Sequence, residues 1–148
     1  MNPLKLVPIA EAISTLSKDP STKIGSVIFD DLGAILSTGF NGMPIGVSDS
    51  DKRLDNRTIK YSYIVHAEDN AICFAARNGV RLLGANLLVT ELWPCSSCCK
   101  LIIQAGIKRV YAPKILNPDT QLRWKDDAEI SKTMFNEAGI GVIEYENI

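Results

Sequence analysis

His66, Glu68, Cys95 and Cys98 are the residues of this chain whose types and spacing best suit chemistry. They stand in His66-Ala67-Glu68 and in Pro94-Cys95-Ser96-Ser97-Cys98, so one imidazole, two thiols and one carboxylate are grouped in two short runs. Zinc accepts nitrogen and sulfur ligands. A structural site fills all four positions with protein groups, whereas a catalytic site keeps one for water. Here His66, Cys95 and Cys98 would hold one Zn²⁺, and Glu68 would remain free to move protons. Zinc lowers the pKa of bound water from about 15.7 towards 7, which makes a nucleophile available at neutral pH. Glu68 lies two residues past a ligand at the expected start of a helix, within reach of that water, and can act as base and then as acid.

The pattern His-x-Glu…Pro-Cys-x-x-Cys is the known signature of zinc deaminases. In that chemistry water attacks an aromatic carbon bearing an amino group, and Glu68 would protonate first a ring nitrogen and then the departing amine. The rival reading is a closed structural site of His66, Cys95, Cys98 and Cys99. Adjacent helical residues point about 100° apart, so Cys98 and Cys99 make an awkward chelating pair. That reading also leaves Glu68 and Pro94 unexplained. Cys73 and Cys99 are read as packed thiols.

The elements that must position these groups can be read along the chain. Residues 66–79 carry Ala67, Ala71, Ile72, Phe74, Ala75 and Ala76 and stop at Gly79, which predicts a helix. Residues 95–106, introduced by Pro94, predict a second. All three ligands then sit at helix N-termini, where the macrodipole favours thiolate. Residues 4–17 form an imperfect helical stripe weakened by Pro8, and residues 24–38 read as a hairpin turning at Asp30-Asp31-Leu32-Gly33. Residues 41–60 are polar and rich in Gly, Pro and Asp, a functional-loop candidate. Strands are expected at 86–90, 109–112 and 141–145, an irregular loop at 113–125, and a helix at 127–138. This order predicts an α/β fold, a three-layer α/β/α sandwich around a mixed sheet of about five strands. The ligand-bearing helix starts would lie at the C-terminal ends of strands.

Length and composition restrict the function classes. A chain of 148 residues with 46% hydrophobic content fits a single domain over 1–148 with a sizeable core. No run approaches the length of a membrane span, and Met1-Asn2-Pro3 opens no signal peptide, so a cytoplasmic protein is expected. Three of the four cysteines crowd into residues 95–99, a poor disulfide framework that suits a reducing compartment. The net charge of −1 gives no electrostatic footprint for nucleic acid and points to a small substrate.

Several stretches resemble one family beyond the zinc motif. They are Ser17-Lys18-Asp19-Pro20, Gly39-Phe40-Asn41-Gly42-Met43-Pro44-Ile45-Gly46, Lys60-Tyr61-Ser62-Tyr63, His66 through Ile72, and Pro94-Cys95 through Lys108. Together they make the chain similar to the deoxycytidylate (dCMP) deaminases of the cytidine deaminase-like superfamily. The Asn-Gly-Met-Pro-x-Gly loop before His-Ala-Glu is what narrows the choice within that superfamily.

The resemblance implies hydrolytic conversion of dCMP to dUMP and ammonia, with His66, Cys95 and Cys98 on zinc and Glu68 as proton shuttle. It implies that Asn41 reaches the sugar or base edge of the nucleotide, although Asn-Gly also simply favours a turn. The backbone around Ala67 and the Glu91-Leu92-Trp93 segment would line the base pocket. Tyr63 would contact nucleotide or else belong to the core. Family members are commonly hexamers activated by dCTP with Mg²⁺ and inhibited by dTTP, through a loop corresponding here to Asn41, Gly42, Gly46 and Asp49. A second, structural zinc is not expected, because His66 is the only histidine and the stretch before it holds no cysteine. Trp93 and Cys99 depart from the usual family pattern, and Trp93 bears on base specificity. The alternatives are another free cytosine nucleotide (dCTP or a 5-modified dCMP), a tRNA or nucleic-acid deaminase, and a zinc module without activity.

Overall fold

A computed structural model of the chain describes residues 1–146. Its centre is a five-stranded sheet in the order β2-β1-β3-β4-β5. The strands are β1 (Gly25–Phe29), β2 (Ile35–Phe40), β3 (Asn86–Val89), β4 (Arg109–Pro113) and β5 (Gly141–Tyr145). β1 is antiparallel to both of its neighbours, while β3, β4 and β5 run parallel. β2 therefore points the same way as β3, and their C-terminal ends share one edge of the sheet.

Period-two alternation sends side chains to two cores. Val27, Phe29 and Leu88 face Leu6 and Ala10, which come from a 3-10 turn (Pro3–Leu6) and helix α1 (Val7–Ser14). Ile28, Leu87, Val89, Val110 and Ala112 face the other way. There they meet Ala71 and Ala75 of α4 (Ala67–Arg77), Ile102 of α5 (Ser96–Gln104) and Phe135 of α6 (Pro118–Glu137). The mixed sheet with helices on both faces agrees with the expected α/β/α sandwich. Pro8 does not break α1, because the first turn of a helix has no use for its missing N–H.

Two segments differ from the sequence expectation. The span 113–125 is not an irregular loop throughout, since α6 begins at Pro118. Asn117 caps it, accepting hydrogen bonds from the N–H groups of Asp119 at 2.9 Å and Thr120 at 3.1 Å, and Pro118 supplies the favoured first-turn φ. The polar stretch after Asn41 is not a bare loop either. It contains α2 (Asp51–Leu54) and α3 (Arg57–Tyr63), the latter capped by Asn56 Oδ1. Cys73 is exposed rather than packed, whereas Cys99 is buried with its Sγ directed at the Ser131 carbonyl.

Gly39 sets how closely the first metal-motif helix sits on the sheet. A Cβ there would fall 2.2 Å from the Ala67 carbonyl oxygen and 2.5 Å from the Ala71 nitrogen, so only glycine lets β2 and α4 approach this far. The last residues before α4 are drawn in by an isolated bridge. Gly42 and Val65 exchange N–H···O bonds of 3.0 and 2.8 Å, which brings His66 beside the end of β2.

Candidate active site

His66 is the N-cap of α4 and Cys95 the N-cap of α5, with Cys98 in the first turn of the latter. Both helix starts lie at the shared sheet edge described above. His66 makes no side-chain capping bond, which leaves its ring free to face the two sulfurs. Its Nδ1 lies 3.2 Å from Cys98 Sγ and 3.4 Å from Cys95 Sγ, and the three donor atoms fall within 4.8 Å of one another. Tetrahedral zinc with its usual bond lengths sets nitrogen and sulfur ligands about 3.6 Å apart. The donor set and its spacing therefore fit Zn²⁺ with one position left for a small molecule. Cys99 is outside this group, as its helical direction requires.

The charges around the three donors are tightly coupled. The Cys95 thiol is lowered to about 4, chiefly by its hydrogen bond with Cys98, with His66 adding to the effect against the cost of burial. Cys98 is pushed strongly upward by Cys95 and by burial. The His66 imidazole rises to about 9, mainly through its hydrogen bond with Cys95. These side chains thus share protons that a bound cation must displace.

Glu68 follows two residues after His66, almost wholly buried, and burial raises its carboxyl to about 7. A carboxyl near neutrality can both accept and donate a proton, the property general acid–base catalysis needs. Glu68 faces a cavity, partly open to solvent, which His66 and Cys95 also line. Leu92, Trp93 and Trp124 supply apolar wall.

The expected binding residues divide. Asn41 lines the cavity, but its side chain is already committed: Oδ1 accepts from the Ile24 N–H at 2.8 Å, and Nδ2 donates to the Thr22 carbonyl at 2.9 Å. Trp93 lines the cavity, whereas Glu91 is exposed and turns the chain with a φ of 65°. Ala67 is wholly buried beside Gly39. Tyr63 points away and lies under the Arg53 guanidinium at 4.4 Å, and Tyr61 lines the cavity instead. Gly42, Gly46 and Asp49 line a second groove of about 310 Å³.

Sequence reading missed Lys60 and Asp19 as partners, and Arg57, Arg123 and Trp124 as cavity residues. Lys60 Nζ lies 3.1 Å from Asp19 Oδ1 with both side chains 5% exposed. Asp19 Oδ1 also accepts from the N–H groups of Ser21 and Thr22, so the pair fixes the loop on which the Asn41 amide rests. Removing one partner strands a buried charge. Lys60→Met should therefore lower stability by about 3–5 kcal/mol, read from the urea midpoint at unchanged slope. Asn117-Pro118-Asp119 was the available signal for the turns of α6 that bring in Arg123 and Trp124.

A mixed sheet that presents one histidine and a Cys-x-x-Cys pair beside a buried glutamate has the architecture of a zinc-dependent deaminase. The chain belongs to the family described as the cytidine and deoxycytidylate deaminase zinc-binding region, whose profile matches residues 3–114. It is 46% identical over 134 residues to an uncharacterized deaminase encoded 3′ of luxG in Aliivibrio fischeri, covering 90% of this chain and 86% of that one. It is 38% identical over 132 residues to human deoxycytidylate deaminase, covering 84% and 68%. Among solved structures, the dCMP deaminase of cyanophage S-TIM5 in complex with dCMP and dUMP superposes with a TM-score of 0.72 at 26% identity, covering 95% of this chain and 94% of that one. Among the described residues, no helix is long and apolar enough to cross a membrane.

Proposed function

We propose that this chain, acting as one domain over residues 1–148, hydrolyses dCMP to dUMP and ammonia, a step that supplies the precursor of thymidylate. The observation that carries the reading is the buried Glu68 carboxyl facing the same cavity as His66 and Cys95 in a chain of the deaminase family. His66, Cys95 and Cys98 would hold zinc, which when bound supplies Lewis acidity that makes water a competent nucleophile near neutral pH. Glu68 takes a proton from the attacking water and delivers it to the ring nitrogen next to the amino-bearing carbon. It then takes the remaining hydroxyl proton and gives it to the amine, which leaves as ammonia. Trp93 and Leu92 line the cavity in which this exchange would take place. Incubation with dC, dCMP, dCTP, CMP and 5-methyl-dCMP, followed by chromatography, should show dCMP as the preferred substrate. Preference for dCTP or the 5-methyl nucleotide would replace dCMP in this reading, and inertness towards all five would remove it.

The groove lined by Gly42, Gly46 and Asp49 supports regulation by dCTP with Mg²⁺ as activator and dTTP as inhibitor, within a homo-oligomer of hexameric type. Asp19 and Ile64 line both this groove and the Glu68 cavity, so a ligand in one can bias the other. A ligand shifts a conformational equilibrium only by its differential affinity for the two states. Coupling of about 1–3 kcal/mol would move the apparent affinity for dCMP by 5- to 150-fold, up with dCTP and down with dTTP. Identical hyperbolic curves under all three conditions would reduce the segment to a substrate clamp.

A further inference from the structure

We propose that Arg57 and Arg123 are specificity-determining residues that grip the 5′-phosphate of the substrate at the mouth of the cavity. The inference rests on the deaminase reading for the orientation of the nucleotide and adds the groups that select a nucleotide over a nucleoside. Three lysine and arginine side chains line the cavity: Arg57 and Lys60 from α3, and Arg123 from α6. Lys60 is buried and engaged by Asp19 at 3.1 Å. Arg57 and Arg123 are exposed and have no hydrogen bond or ion pair among the described residues. Of the two carboxylates lining the cavity, Asp19 is paired with Lys60 and Glu68 is buried, so neither neutralises the mouth.

This charge distribution matches a polar molecule with one anionic end. A pyrimidine whose amino-bearing carbon meets Glu68 must direct its sugar and 5′ substituent outward, towards the two guanidiniums. Planar guanidinium forks bind phosphate oxygens in pairs, and these charge-assisted bonds are about twice as strong as neutral ones.

Arg123 does not sit on a free loop. One helical turn later, Asp127 accepts 2.9 and 2.7 Å hydrogen bonds from the N–H and Oγ of Ser96, the first residue of α5. Ser131 Oγ donates to the Pro94 carbonyl at 3.0 Å. The middle of α6, one turn beyond Arg123, is thus tied to the turn that carries Cys95 and Cys98. The Arg123 guanidinium lies 5.6 Å from the Trp124 ring, close enough for a cation–π contact that restrains it. Arg57 is held on a short helix whose next turn supplies Lys60.

The test is calorimetric titration of the zinc-loaded protein with dUMP and with deoxyuridine, in the wild type and in Arg57→Gln, Arg123→Gln and the double variant. The wild type should bind dUMP at least ~10²-fold more tightly than deoxyuridine. Each single variant should lose about 10- to 100-fold for dUMP and leave deoxyuridine unmoved, and the double variant should bring the two ligands close together. Arg123→Lys should recover only part of the loss, because a point charge lacks the fork. In kinetics with dCMP, KM should rise while kcat holds, as for an interaction present equally in ground and transition states. Equal wild-type affinities for dUMP and deoxyuridine, or variants that weaken both ligands alike, would overturn the assignment. Binding of product is read without turnover. A protein inert on dCMP that still prefers dUMP in this way would refute the substrate reading and uphold the phosphate grip.

Discussion

Glu68→Gln should reduce turnover on dCMP by at least ~10²–10⁴, the usual weight of a positioned general acid–base group. The substitution preserves size and hydrogen-bonding capacity but removes a group that can carry a proton in both directions. Glu68 is almost wholly buried, and burial raises its carboxyl to about 7, so the native side chain exchanges protons at little cost near neutral pH. Glutamine is neutral throughout, and the buried position suffers no loss of solvation. The variant should therefore fold normally and retain its zinc, because the proposed ligands are His66, Cys95 and Cys98. A variant that keeps its metal and turns over dCMP at a near-normal rate would show that the proton moves by another route. Loss of metal together with activity would instead make Glu68 a ligand.

Cys98→Ala should abolish stoichiometric zinc binding, measured by elemental analysis against one zinc per chain in the wild type. Removing a ligand should cost more than the 10- to 100-fold that follows loss of a supporting hydrogen bond around a metal. The pH dependence has a definite sign. Cys98 is raised by Cys95 and by burial, and His66 is raised to about 9 chiefly by its hydrogen bond with Cys95, so both hold protons at neutral pH. Zinc requires thiolates and a neutral imidazole, and its binding must expel those protons. Affinity should consequently fall as pH falls. Titrations in buffers of different ionisation enthalpy should report proton release on binding at pH 7. Full zinc occupancy in Cys98→Ala, or binding with no proton released, would contradict this ligand set.

How much of this was legible in the sequence differs from element to element. Strands β1 and β3 are short apolar runs, the helix after His66 is rich in good helix formers, and the helix after Cys95 buries Cys98, Cys99 and Ile102 along one face, so local pattern and burial agree there. The start of α6 was misread because Leu116, Leu122 and the polar residues between them show no apolar face, while the cap at Asn117-Pro118 was overlooked. Tyr63 and Tyr61 were indistinguishable by type. They lie on one short helix, where two residues of separation turn side chains in different directions, and only the packing around α3 put Tyr61 at the cavity.

By itself the sequence determined the chemistry on offer. Donor atoms that act together on a metal sit at short spacings on two helix starts, and such spacing is a local property of the chain. It also determined the layers, because alternation and helical periodicity are local too. Only the tertiary structure decided which distant groups share the space in front of Glu68. Asp19 and Lys60 are 41 positions apart, and Ser96 and Asp127 are 31 apart, yet each pair lies within hydrogen-bond distance. Nothing in the identity of a lone aspartate or lysine specifies its partner. The tertiary packing does, with α6 lying on α5 and α3 held to Asp19 through Lys60, and among the described residues it leaves Arg57 and Arg123 without a hydrogen bond or ion pair at the rim of the cavity.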